Sequence, residues 1–306
     1  MKNSVCDEFL QYQPTNTENE TLRSWYIVNS VFNAFLAFSS IVLNSVTIQA
    51  LRKTSSLPKP LKTLLLSLAV SDLSVGVLVQ PFYLWLLVKL LLQHNSLEAV
   101  CTALNSLALF FSVASFFGVM ALSGDRFLAV LLHLRYQELV THKRVVAVVI
   151  SIWVFSAFMS LFFLLASPDI SYIASAVIAV VCVLFSAMLN FKIYFAVRRH
   201  RNQIQALQQQ VAQNDQLTND AGLRKSVVGV FYVYLVFLLC YLPSFCTFLV
   251  VVISNLNNGV KVFIMSSITL VFFNSSLNPV IYCWKMRRVR LAVMDIVRNI
   301  FPSHNN

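Results

Sequence analysis

Residues 63–88 read TLLLSLAVSDLSVGVLVQPFYLWLLV, a run whose one formal charge is Asp72. About 20 apolar residues, rising 1.5 Å each, cross the roughly 30 Å hydrocarbon core of a bilayer. This run is long enough to span, and it has no charged face to turn toward water. Six further segments contain no Asp, Glu, Lys or Arg: Ser24–Leu51, Ala99–Gly124, Val145–Pro168, Ile170–Phe191, Ser226–Val260 and Val262–Trp284. Inside a bilayer the backbone must satisfy its own hydrogen bonds, so each segment is expected to be a helix. The expected fold class is an all-α integral membrane protein, a bundle of seven transmembrane helices. The fourth and fifth join tightly around Pro168 and Asp169, which suits antiparallel neighbours.

Composition agrees. The 306 residues are 58% hydrophobic and 11% charged, against about 45–50% and about 25% in soluble domains. That excludes a soluble fold, and also disorder, which needs the opposite balance. Six Gly and 8 Pro exclude collagen-like and low-complexity chains, and six Cys make no disulfide scaffold. Of the 23 Lys and Arg, all but Lys2, Arg23, Lys89 and Lys261 fall on one side if the N-terminus is outside. Basic residues mark the cytoplasmic side. The net charge of +11 therefore belongs to the inner leaflet, and being spread over four segments it does not suggest nucleic acid. Residues 1–23 are expected as an extracellular tail, 24–284 as the membrane domain and 285–306 as a cytoplasmic amphipathic helix and tail. The polar stretch Met1–Arg23 has no cleavable signal, so the first span directs insertion. Asn19-Glu20-Thr21 is a glycosylation triplet on the outside. In the last segment Val289, Val293, Ile296 and Ile300 share a face opposite Arg287, Arg288, Asp295 and Arg298. Such a helix is expected to lie flat on the inner leaflet.

Asp72 carries the chemistry. A carboxylate in the bilayer core costs about 2.5–3.5 kcal/mol on insertion scales and is functional by default. By helical rise, Asp72 lies about 15 Å above Lys62, Ser115 about 16 Å above Arg126, and Asn274 about 16 Å above Lys285. Asn44 and Asn278 lie somewhat closer to the cytoplasm. Ser and Asn alone could be interhelical glue, worth about 0.6 kcal/mol per bond. With Asp72 among them, the group is expected to hold a cation or a proton.

Further motifs occur in order. The third span ends Asp125-Arg126-Phe127, followed by Leu134-Arg135-Tyr136; the sixth carries Cys240-Tyr241-Leu242-Pro243; the seventh carries Asn278-Pro279-Val280-Ile281-Tyr282. Asn44 lies in the first span and Trp153 in the fourth. With Ser71-Asp72 in the second, the chain resembles a rhodopsin-like (class A) G-protein-coupled receptor over nearly its whole length. The resemblance implies an allosteric sodium site at Asp72, Ser115, Asn274, Ser275 and Asn278. It implies that Asp125 holds Arg126 until activation frees it for a heterotrimeric G protein, and that Leu134 packs into that partner. It makes Pro243 and Pro279 the kink prolines, Tyr194 and Tyr282 a pair that approach on activation, and Tyr241 the aromatic switch, in place of the usual Trp. Phe127 replaces the usual Tyr, and Leu223 stands where many members have an acid, so only Asp125 is expected to restrain Arg126. Cys101 occupies the family's disulfide position, but the second outer loop has no Cys. Cys6 is then a possible partner, with two free thiols as the alternative.

The resemblance also bears on the ligand. Ala108 replaces the Asp of amine receptors, and Phe272 the Lys that binds retinal, so no retinal is expected. The expected lining is Leu109, Ser112, Val113, Ile178, Tyr241, Phe245, Phe248, Ile268 and Phe272, almost without charge. It suggests a neutral or lipid-like extracellular ligand, with a peptide as the alternative. Adenosine receptors are similar around Arg135-Tyr136 but carry Asn where Phe248 stands. Melanocortin receptors share the short outer loop, but Phe82, Cys101 and Asn105 replace their acidic cluster. With departures shared by cannabinoid and lysophospholipid receptors, the chain reads as an orphan near that broad group, multi-pass in the plasma membrane. A seven-helix transporter is the alternative class, but it would need repeats and broken helices. An enzyme is not expected: the five His lie in loops or tail, and no second membrane acid joins Asp72. No cofactor is expected beyond the sodium ion.

Overall fold

The computed structural model describes residues 16–55, 57–92, 98–132 and 135–166, part of 170–198, and residues 232–247, 250 and 257–300. The helices are α1 (Asn16–Lys53), α2 (Lys59–Leu91), α3 (Glu98–Leu132), α4 (Tyr136–Leu139), α5 (His142–Leu165), α6 (Tyr232–Thr247), α7 (Asn258–Lys285) and α8 (Arg287–Ile300). Among the described residues α1, α2, α3, α5 and α7 are long and apolar enough to cross a membrane, and α6 is a shorter apolar helix. Every described position between 170 and 198 is helical, where the fifth span is expected. The fold is an all-α membrane bundle. Large apolar side chains cover its outer surface, among them Val31, Phe35 and Phe38 of α1 and Val154, Phe158 and Leu161 of α5. These suit a surface solvated by lipid.

Several boundaries differ from the sequence expectation. Helix α1 starts at Asn16, so the outer tail is shorter than 1–23 and Asn19 falls on the first helical turn. Glu18 and Glu20 lie near that start, where the helix dipole favours acids. Helix α3 continues beyond Gly124 to Leu132, which carries Asp125 and Arg126 as helical residues. Helix α2 contains a wide π turn, Val75–Val79, in which the Gln80 amide donates to the Val75 carbonyl. The cause is local: Pro81 has no N–H and its ring would clash with the carbonyl four residues back. An inserted residue relieves that clash.

Helix α7 packs on α1 and α2, α3 on α2 and α5, and α8 on α1 and α7. An inner core joins Leu51, Leu61, Leu65, Leu122, Val233, Phe237, Tyr282 and Val289. An outer core joins Leu36, Val79, Tyr83, Phe111, Met265 and Phe272. Trp153 of α5 packs against Phe110 and Phe111 and donates to the Ser67 hydroxyl of α2 at 3.0 Å. The α8 stripe departs from its expected role. Val289 and Ile296 are buried and Val289 sits in the inner core, because α8 folds back beside α1. The apolar side chains that α8 exposes are Leu291, Met294 and Val297.

The closest approach of α1 and α2 is at Gly76. A Cβ there would stand 3.1 Å from Ile41, 3.2 Å from Ser40 and 3.3 Å from the Ala37 carbonyl. Two backbones cannot give way cheaply. Gly76→Val is expected to destabilise the bundle by about 1–3 kcal/mol, read as a lower melting temperature of the purified protein. An unchanged melt would show that α1 and α2 are not locked at this point.

Candidate functional site

Asp72 is fully buried where α1, α2 and α7 meet. Asn278 Nδ2 donates to its Oδ2 at 2.7 Å, and Ser275 is also hydrogen-bonded to its side chain. The walls are tied to one another as well. Ser40 of α1 donates to the Asp72 carbonyl at 3.0 Å, and Asn44 Nδ2 donates to the carbonyls of Ser40 at 2.9 Å and Ser275 at 3.0 Å. Ser276 donates to the Leu36 carbonyl at 3.2 Å. Asp72 Oδ1, Asn44 Oδ1, Asn278 Oδ1 and both polar atoms of the Asn274 side chain have no protein partner. The group therefore offers one carboxylate oxygen with amide oxygens in the same layer, a donor set that suits a hard cation. Ser115 is placed differently: its hydroxyl shares a 2.9 Å hydrogen bond with Ser71.

At the cytoplasmic end Asp125 and Arg126 are both nearly fully buried. Arg126 Nε donates to Asp125 Oδ2 at 2.9 Å, and the two form a salt bridge through Nη2. A third member was not foreseen. The Tyr136 hydroxyl donates to Asp125 Oδ1 at 2.6 Å and lies 3.5 Å from Arg126 Nη2. The one-turn helix α4 brings it there. Burial, and then the Asp125 carboxylate, push the Tyr136 hydroxyl above its ordinary pKa, so it stays a proton donor. The sequence shows a Tyr beside Arg135 but not that the loop folds back onto α3.

A second unforeseen contact joins the inner ends of α6 and α7. Lys285 Nζ lies 4.0 Å from the Tyr232 ring centre and 3.4 Å from that of Trp284. Higher in α6, Tyr241 stacks on Phe237 at 4.0 Å and is hydrogen-bonded to Ser112 of α3. Pro243 lies one turn inside the outer end of α6, and Pro279 lies within α7. Tyr282 is buried in the inner core. Leu134 and Tyr194 lie outside the described residues.

Of the expected ligand lining, Ala108, Ile268 and Phe272 pack in the outer core, with Phe272 edge-on to Tyr83 at 5.3 Å. Leu109, Ser112, Val113 and Phe245 are half-buried, Ile178 is exposed, and Phe248 lies outside the described residues. Beside the lining is an unpredicted polar knot. Asn29 and Asn33 donate to Thr269 at 2.8 and 2.9 Å, and Tyr83 donates to Asn29 at 3.0 Å. Lys261, expected outside, is buried near the outer end of α7. Cys101 is disulfide-bonded; Cys6 lies outside the described residues.

A membrane helix bundle with a buried carboxylate at its centre and an Asp-Arg pair at its inner mouth has the form of a signalling receptor. The chain matches the 7 transmembrane receptor (rhodopsin family) over residues 43–172 and 166–282, and it belongs to that family. It is a G-protein-coupled receptor, and the family is one of receptors rather than enzymes. Melanocortin receptor 4 of Danio rerio is 24% identical over 274 residues, covering 85% of this chain and 81% of its own length. Melanocortin receptor 5 of Homo sapiens is 25% identical over 278 residues, covering 86% and 82%. Adenosine receptor A2b of Gallus gallus is 32% identical over 136 residues, covering 44% and 38%.

Tyr136→Phe removes one hydrogen bond to a charged group, worth about 1.5 kcal/mol. If Tyr136 helps to hold Arg126, ligand-independent nucleotide exchange by the partner G protein should rise roughly tenfold. Exchange at the wild-type level would show that Tyr136 is a bystander.

Proposed function

We propose that this receptor binds a neutral, lipid-like extracellular ligand in the plasma membrane and passes the signal to a heterotrimeric G protein through Arg126. The uncharged lining carries the ligand reading. Ala108, Leu109, Ser112, Val113, Tyr241, Phe245, Ile268 and Phe272 bring three helices together without a formal charge. A charged ligand would lose its water there and gain no counter-ion. The melanocortin and adenosine receptors share the framework, but the residues at Phe82, Asn105 and Phe248 do not support transferring their ligands. A reconstituted receptor and G protein, presented with neutral lipid fractions and with cationic amines, separates the ligand classes. Exchange driven by the lipids supports the reading, and exchange driven by amines alone overturns it. Arg126→Ala should abolish G-protein activation while surface expression persists; retained exchange would remove Arg126 from the coupling role.

Sodium is the proposed occupant beside Asp72. The unpartnered Oδ1 and the amide oxygens around it suit a monovalent cation that needs no displacement of a resident base. The ion would favour the arrangement in which Asn278 holds Asp72, the inactive one in this reading. Coupling between such sites is typically 1–3 kcal/mol, or about 5–150-fold in affinity. At constant ionic strength, sodium should weaken agonist binding to the wild type and have no effect on Asp72→Asn. Wild-type binding indifferent to sodium would overturn the site.

A further inference from the structure

The inner end of the bundle carries a basic surface that neither the ligand site nor the Arg126 switch uses. Arg52 and Lys53 are exposed on the last turn of α1. Arg287 and Arg290 are exposed on the first turn of α8. The apolar core between the two elements holds them side by side: Leu51 and Leu57 share one cluster with Met286 and Val289. Lys62 fastens the intervening loop by donating to the Arg52 and Thr54 carbonyls, both at 3.1 Å. No Asp or Glu occurs in residues 45–71 or 275–294. The charge is therefore not balanced within these segments.

We propose that the inner ends of α1 and α8 form a site for the multiply phosphorylated headgroup of an inner-leaflet lipid. A basic residue close to an anionic membrane surface contributes about 1 kcal/mol. A singly charged headgroup can answer one of these four groups at a time, whereas several phosphates on one ring can answer several together. The exposed apolar side chains of α8 favour a lipid over a soluble polyphosphate. Arg287 is followed at i+4 and i+7 by exposed Leu291 and Met294, and Arg290 by exposed Met294 and Val297. Side chains at that spacing share a flank of the helix. Each guanidinium thus stands beside apolar groups that acyl chains can cover.

The full-length receptor is placed in nanodiscs of phosphatidylcholine with either phosphatidylserine or phosphatidylinositol bisphosphate, at equal total lipid charge. Native mass spectrometry then counts the anionic lipid retained. The bisphosphate should be retained about tenfold better than phosphatidylserine. Arg52→Gln, Arg287→Gln and Arg290→Gln together should abolish the difference, and Lys at the same three positions should keep most of it. The Lys variant separates loss of charge from loss of fold. Equal retention of the two lipids by the wild type would overturn the site in favour of diffuse attraction. Leu291→Ser with Met294→Ser leaves every charge in place and should weaken retention. Unchanged retention in that variant, with displacement by soluble inositol trisphosphate, would overturn the lipid assignment.

Discussion

Burying a carboxylate in a bilayer is the constraint around which this bundle is arranged. Asp72 has no exposed surface, and no Lys or Arg answers it. An unpaired buried charge is costly, so other helices must bring donors to it. Asn278 does so from α7, and Ser40 of α1 fixes the backbone of the same residue. The approach is possible because the residues at the seam are small. Gly76 lets α1 come close, and Ser275 and Ser276 do the same for α7. The hydrogen bonds from Asn44 and Ser276 then cross between α1 and α7. Once α7 is held there, Tyr282 reaches the inner core and the chain turns at Met286 into α8.

The cytoplasmic end solves a similar problem in another way. Arg126 leaves the membrane on a helix that continues to Leu132, and its charge is nearly covered. Its neighbour Asp125 supplies the counter-ion, and Tyr136 binds the other carboxylate oxygen. Pairing in a buried place is strong because truncation of one partner strands the other. The restraint on Arg126 is therefore larger than a lone exposed contact would provide, although Leu223 offers no acid. Lys285 adds a link of a different kind, a cation held between aromatic rings at the ends of α6 and α7. Contacts of this type contribute about 0.5–2 kcal/mol depending on exposure.

Much of this was legible residue by residue. The spans follow from stretches without charge, since hydropathy is a property of the local run. The order of Asp72, Asp125-Arg126, Pro243 and Asn278-Pro279-Tyr282 identified the receptor family before any coordinates, and the match over 43–172 and 166–282 bears that out. The amphipathic pattern of α8 located a helix correctly but not the neighbour of its apolar face. That face meets α1, which the pattern cannot distinguish from lipid, because both are apolar.

By itself, then, the sequence determined that the chain is a helical membrane bundle, which end is basic, and which side chain must be buried as a carboxylate. These follow from composition and from the cost of moving charge and backbone into hydrocarbon. The tertiary structure alone decided which groups meet. Ser115, at the right depth for Asp72, pairs with Ser71 instead. Tyr136 returns to Asp125, and Asn29, Asn33, Tyr83 and Thr269 find one another from three helices. Depth along a helix can be counted from sequence at 1.5 Å per residue. Its rotation and closeness to a neighbour depend on packing, on Gly76 and on the extra residue at Val75–Val79, and these set the partner of every buried polar atom.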